Sequence, residues 1–304
     1  MKKTEQKKEP GKKILLFAYA GLAFAVLNWA VNTVIARGII LEIRPFALSF
    51  FRWLSALIII SPFALPHLKK DISWILSNLK YLFVLSVFGV AVYNSVLYIG
   101  ARYTSATNIA LMGASMPGIT ILLAWVINNE KPGMLQILGA TISLSGMIAI
   151  IAHGTFQTLM NFKFNQGDIL IILATLSWAL YSVLLRKKTI NIHPLSLLST
   201  LIFMGTICIF PFYLWEYVNF SGFNLNLSTL VVFLFLGIFP SILSYICWNF
   251  GIKIAGAGRA SVFMCLLPVF ASGIAFFFLG ENLATYHIAG GILIITGLFL
   301  SSYK

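Results

Sequence analysis

The chain reads as an all-α polytopic membrane protein: ten transmembrane helices arranged as two inverted five-helix repeats. Three observations predict this. Of its 304 residues 60% are hydrophobic and 10% charged, too little polar surface to cover a soluble globule of that size. Ten apolar runs follow one another, each near the roughly 20 residues a helix needs to cross a hydrocarbon core of about 30 Å. The second half also repeats the first at a nearly constant offset.

The first run, 14–36, follows a basic segment, 1–13. It is too long for a secretory signal and lacks a small-residue cleavage site, so it reads as a retained span. The second, 46–66, opens after Pro45; the third is 80–101; the fourth, 105–127, carries Pro117; the fifth, 135–152, carries Gly139 and Gly146. These form a first repeat, 14–152, joined by a loop, 153–167, to a second repeat, 168–304, with runs at 168–185, 194–215, 228–250, 258–279 and 284–302. With Lys2, Lys3, Lys7, Lys8, Lys12 and Lys13 cytoplasmic, sixteen basic residues fall inside, and Arg37, Arg44, Arg102 and Lys163 fall outside. Such bias sets orientation, with both termini cytoplasmic in a cell (inner) membrane, so the net charge of +13 needs no nucleic-acid partner. Cys208, Cys247 and Cys265 lie within spans without regular spacing and read as packing residues.

An offset of 149 pairs Trp29 with Trp178, Arg37 with Arg186, Pro45 with Pro194 and Pro62 with Pro211. After a two-residue slip, 151 pairs Gly100 with Gly251, Ala106 with Ala257, Pro117 with Pro268, Glu130 with Glu281, Gly139 with Gly290 and Gly146 with Gly297. Five spans per copy is an odd number, so the second copy enters from the other side. Inverted repeats about an in-plane axis suit a carrier whose central site opens to either side in turn.

A Trp-bearing first span ending in Arg, a Pro opening the second, then "LYIGARYTSATNIALMGASMPGITILLAW" answered by "CWNFGIKIAGAGRASVFMCLLPVFASGIAFFF", resembles the EamA-type branch of the drug/metabolite transporter superfamily. The resemblance covers nearly the whole chain. It implies a ten-helix exporter or carrier of amino acids and other small metabolites, and leaves the substrate open.

Asn28 and Asn32 share one helix face beside Trp29, and the second copy puts Ser177 and Tyr181 beside Trp178. Asn94 and Tyr98 align with Tyr245 and Asn249, the same residue types exchanged. Polar groups in lipid are costly, so these stripes, with Tyr93 and Trp248, are expected to face a solute-binding cavity; the competing reading is interhelical glue. Arg52 is the charge that clearly lies inside a span, and its duplicate position holds Leu201. It is expected to attract an anionic group on the solute, or else to snorkel to the interface. Pro117 and Pro268 are expected to act as hinges. Glu130 and Glu281 read as helix caps, and the paired glycines as close-packing positions. His67, His153, His193 and His287 sit near span ends without metal spacing.

No Asp or Glu is expected to be buried in a span, and no nucleophile stands beside a base. Catalysis, cofactors and metals are therefore not expected. Without buried acids, zwitterionic or neutral amphipathic solutes fit better than cations, and rings suit apolar or aromatic amino acids. A nucleoside, a nucleotide-linked metabolite or a drug is the alternative cargo, and a receptor or scaffold the alternative class. The chain is expected as monomer or homodimer; its coupling ion is not legible in the residues.

Overall fold

A computed structural model describes residues 11–39, 43–161, 163–220, 222–279 and 284–302. Glu281, Lys304 and the lysines before residue 11 lie outside the described residues, as does the Arg37 side chain. The described residues are helical throughout their apolar segments and supply ten helices long and apolar enough to span a membrane. The first repeat comprises α1 (Lys12–Ile39), α2 (Pro45–Ser77), α3 (Leu79–Ser86), α4 (Tyr93–Gly100), α5 (Ala106–Gly113), α6 (Met116–Asn128) and α7 (Met134–Ile151). A short α8 (Phe156–Met160) lies in the connecting loop. The second repeat comprises α9 (Gln166–Lys187), α10 (Pro194–Phe220), α11 (Leu227–Leu236), α12 (Ser244–Ala255), α13 (Ala257–Val262), α14 (Leu266–Leu279) and α15 (Thr285–Ser302). Phe17 and Val218 are 71% and 79% exposed, as lipid-facing side chains should be.

Tyr19 Oη donates to the Ser302 carbonyl at 3.2 Å, which puts both described ends at one face. Lys12, Lys13, Lys69, Lys70, Arg186, Lys187, Lys188 and Lys253 gather there by alternation of the spans. This is the basic face.

The paired glycines work as expected. α7 and α15 cross with backbones in contact: a Cβ on Gly139 would stand 2.4 Å from the Gly297 carbonyl, and one on Gly146 2.5 Å from that of Gly290. Ser143 Oγ donates to Ile294 O at 3.2 Å midway along the seam. Small residues permit this approach, and dispersion then holds what the hydrophobic effect cannot hold in lipid.

Spans 3 and 8 are each continuous but widen into a π-helical turn, Val87–Val92 between α3 and α4 and Gly237–Leu243 between α11 and α12. Gly89 and the aligned Pro240 lie inside these turns. Spans 4 and 9 keep helical dihedral angles throughout but lose regular α geometry ahead of their prolines. Pro117 sits in the first turn of α6, where its missing N–H is harmless, and α5 ends before it. A 3₁₀ turn, Phe263–Cys265, separates α13 from α14, which carries Pro268.

Two expectations are corrected. Glu130 does not cap a helix; its Oε1 pairs with Arg186 Nε at 2.7 Å, and Arg186 Nη1 donates to Ile252 O at 3.2 Å. That clasp ties spans 4, 6 and 8 together on the basic face. Two acids are buried in spans after all, Asp168 at 0% exposure and Glu216 at 5%. Both are caps near the opposite face. Asp168 closes a capping box with Asn165 at the start of α9. Glu216 of α10 accepts the amides of Phe46 and Ala47 at 3.3 and 2.8 Å, supplying α2 with the cap that Arg44 does not provide. The three cysteines are free.

Candidate functional site

The π-helical turns organise the centre. A widened turn frees carbonyls from the i→i−4 ladder, and in a bilayer each must find another donor. Here donors come from the other repeat. Gly89 O accepts Tyr245 Oη at 2.6 Å, while Pro240 O accepts Trp29 Nε1 at 3.0 Å and Arg52 Nη2 at 3.2 Å. The symmetry of the sequence thus becomes a reciprocal stitch between halves.

Around these turns the predicted rings form one contiguous cluster. Trp29 lies edge-on to Trp178 and Trp248, each at 5.2 Å between ring centres, and Trp178 also contacts Tyr93 at 4.8 Å and Tyr181 and Tyr245 at 5.2 Å. These off-parallel contacts are the arrangement that aromatic quadrupoles favour. Trp53, which no repeat pairing or polar stripe marked out, joins them at 5.1 Å from Tyr245.

Arg52 sits on the side of this cluster away from the basic face, and it does not snorkel: 2% of it is exposed. Its guanidinium donates to Ser241 Oγ (2.7 Å), Asn94 Oδ1 (2.8 Å), Tyr98 Oη (2.9 Å) and Pro240 O (3.2 Å). Every one of these acceptors is neutral. With five N–H groups and four such bonds, the charge is well solvated by dipoles yet carries no counter-ion among them. Placing Arg at a span centre costs about 2.5–3.5 kcal/mol on insertion scales, and Leu201 at the equivalent position shows that the scaffold does not need it.

The amide stripes divide in two. Asn28 Nδ2 turns back to Phe24 O of its own helix at 2.9 Å. Tyr181 Oη donates to Asn249 Oδ1 at 2.7 Å, and Trp248 Nε1 to Ser182 Oγ at 3.2 Å, both toward the basic face. Asn94 Nδ2 reaches Tyr245 Oη at 3.4 Å between equivalent positions of the repeats. By contrast Asn32 Oδ1, Trp53 Nε1 and Trp178 Nε1 are buried without a protein partner. The centre therefore combines a buried cation, two unpaired indole donors, one unpaired amide acceptor and a wall of rings. No group of three or more potential metal ligands occurs among the described residues.

Two successive segments of the chain, residues 15–152 and 165–303, each match the EamA-like transporter family. The chain belongs to that family. The EamA match falls on the two five-helix units, and among relatives, "Uncharacterized transporter YyaM" of Bacillus subtilis is 30% identical over 219 residues, 72% of either chain. An "Uncharacterized transporter" of Archaeoglobus fulgidus is 29% identical over 93% of this chain and 96% of its own. A WAT1-related protein of Arabidopsis thaliana is 27% identical over 94% and 77%. A crystal structure 15% identical superposes with a TM-score of 0.74, covering 96% of this chain and 97% of the other, which attests the fold. As an EamA protein the chain is a membrane transporter, not an enzyme.

Proposed function

We propose that this EamA transporter is an alternating-access exporter of small zwitterionic solutes, foremost amino acids with apolar or aromatic side chains, in the cell (inner) membrane with both termini cytoplasmic. One observation carries the reading: Arg52 is buried among four neutral acceptors, with no acid among the described residues paired to it. A carboxylate on the solute supplies the missing charge, and charge-assisted bonds to it are about twice as strong as neutral ones. The rings of Trp29, Tyr93, Trp178, Tyr245 and Trp248 take the apolar part, while Asn28, Asn32, Asn94, Tyr98, Tyr181 and Asn249 provide the polar rim. The irregular turns ahead of Pro117 and Pro268 serve as hinges within their spans.

The test is transport of labelled tryptophan into vesicles reconstituted with the pure protein, competed by phenylalanine, threonine and adenosine. Competition by phenylalanine but not adenosine is expected. Inhibition by adenosine alone would replace the amino-acid reading with one based on stacking of a nucleobase.

A further inference from the structure

Equivalent contacts of the two repeats are not in the same state. α13 packs on α6 and on α9, and α12 on α9. The duplicated counterparts, α5 with α14, α5 with α1, and α4 with α1, share no comparable packing among the described residues. Gly256, at the start of α13, is buried where a Cβ would meet Arg186 Nη1 at 2.5 Å. Its counterpart Ser105, at the start of α5, is exposed at a shallow, open polar depression of about 470 Å³ beside Arg102, Asn108 and Lys163. The contacts on the basic face are made, and their counterparts on the opposite face, among the described residues, are not.

The same asymmetry reaches the central site. Tyr181 and Asn249 occupy the positions that Asn32 and Tyr98 occupy in the first repeat. The Tyr181–Asn249 bond is made at 2.7 Å. Its counterpart is unmade: Tyr98 Oη is engaged by Arg52 at 2.9 Å, and Asn32 Oδ1, 9% exposed as a residue, has no partner. Arg52 thus holds the Tyr98 oxygen in place by donating to it, while the Tyr98 O–H, the donor that would complete the pair, does not reach Asn32.

We propose that Tyr98 couples solute binding to closure of the opposite face. A carboxylate arriving at Arg52 displaces the Tyr98 hydroxyl, which turns to Asn32 Oδ1 and draws span 3 onto span 1, completing the bond that Tyr181 and Asn249 already make on the other side. The empty carrier is thereby held open toward the opposite face until an anionic group takes Arg52. This rests on the carboxylate reading of Arg52 given above.

Single cysteines at the equivalent positions Leu111 of α5 and Val262 of α13, in a background with Cys208, Cys247 and Cys265 replaced by Ala, report each face through labelling with a membrane-impermeant thiol reagent. Val262 is fully buried and Leu111 partly exposed. Tryptophan is expected to protect Leu111→Cys in the parent chain. Tyr98→Phe and Asn32→Leu alter the polar rim itself, so each is labelled at a tryptophan concentration that equilibrium dialysis shows to saturate that variant; at saturation, protection should fall by about fivefold, the weight of one hydrogen bond. Tyr181→Phe, measured without solute, should raise labelling of Val262→Cys by a similar factor and lower that of Leu111→Cys. A general loosening of the fold raises both.

Full protection in Tyr98→Phe overturns the coupling. Failure of tryptophan to bind the parent chain overturns the carboxylate reading and the coupling with it, while the Tyr181→Phe result stands independently as a test of the paired contacts. Unchanged labelling in Tyr181→Phe means the pair holds no face shut, and it too overturns the proposal.

Discussion

Replacing Arg52 with Gln removes a charge whose partners are all neutral. In the ground state two effects oppose each other. The variant is relieved of about 2.5–3.5 kcal/mol of insertion cost, but it gives up four bonds from a charged donor and strands Asn94 Oδ1 unless the shorter amide reaches it, while Pro240 O keeps Trp29 Nε1. Each bond to a charged group contributes about 1.5–3 kcal/mol in favourable cases, so the loss outweighs the relief, folded yield should fall below the parent's, and binding is measured on the monodisperse folded fraction. Binding is different. A solute carboxylate loses at least one charge-assisted bond, about 1.5–3 kcal/mol, which is roughly 10- to 150-fold in affinity. The assay is equilibrium binding of tryptophan against tryptophan amide, which keeps the ring and amine but lacks the carboxylate. Arg52→Gln should weaken tryptophan by that factor and move the amide by less than about threefold. If both ligands weaken alike, or neither does, Arg52 is not the carboxylate's partner.

Gly146→Ala places a methyl 2.5 Å from the Gly290 carbonyl and should lower the unfolding midpoint in detergent by several degrees, since overpacking costs about 1–3 kcal/mol; Gly113→Ala, with nothing within 4 Å, should not. Trp29→Phe breaks the bond to Pro240 O at 3.0 Å, while Trp178→Phe breaks none within the protein, so thermal melts should show the first less stable by about 1 kcal/mol. Glu216→Ala strips the cap from α2 and should cost about 1–2 kcal/mol, with Glu216→Gln recovering about half of it in the same melt.

The spans were legible because hydrocarbon thickness dictates their length, and the glycine seam because its spacing repeats in both copies. The irregular turns in spans 4 and 9 were legible only as prolines: Pro117 marks a mid-span irregularity, but that the turn before it tightens to i→i−3 bonding could not be read from the residue alone. Glu130 was misread for a related reason. A carboxylate followed closely by a helix looks like a cap, whereas its partner Arg186 belongs to the other repeat, and no local pattern announces such a pair. The ring and amide positions of the centre could be chosen by aligning the copies, yet Arg52's neutral surroundings could not, because Asn94, Tyr98, Pro240 and Ser241 come from two distant spans. The difference in state between equivalent contacts was out of reach altogether, since two half-sequences related by scattered matching positions carry no mark of which one is closed.

The reciprocal stitch at the widened turns has a consequence for truncated chains. Severed in the connecting loop, either fragment would keep its five helices but lose the donors for Gly89 O or Pro240 O and the glycine-notched neighbour of α7 or α15. Each half is a template cut for the other, so the two fragments produced together in one cell should recombine into a working transporter, and either alone should be cleared without transport activity.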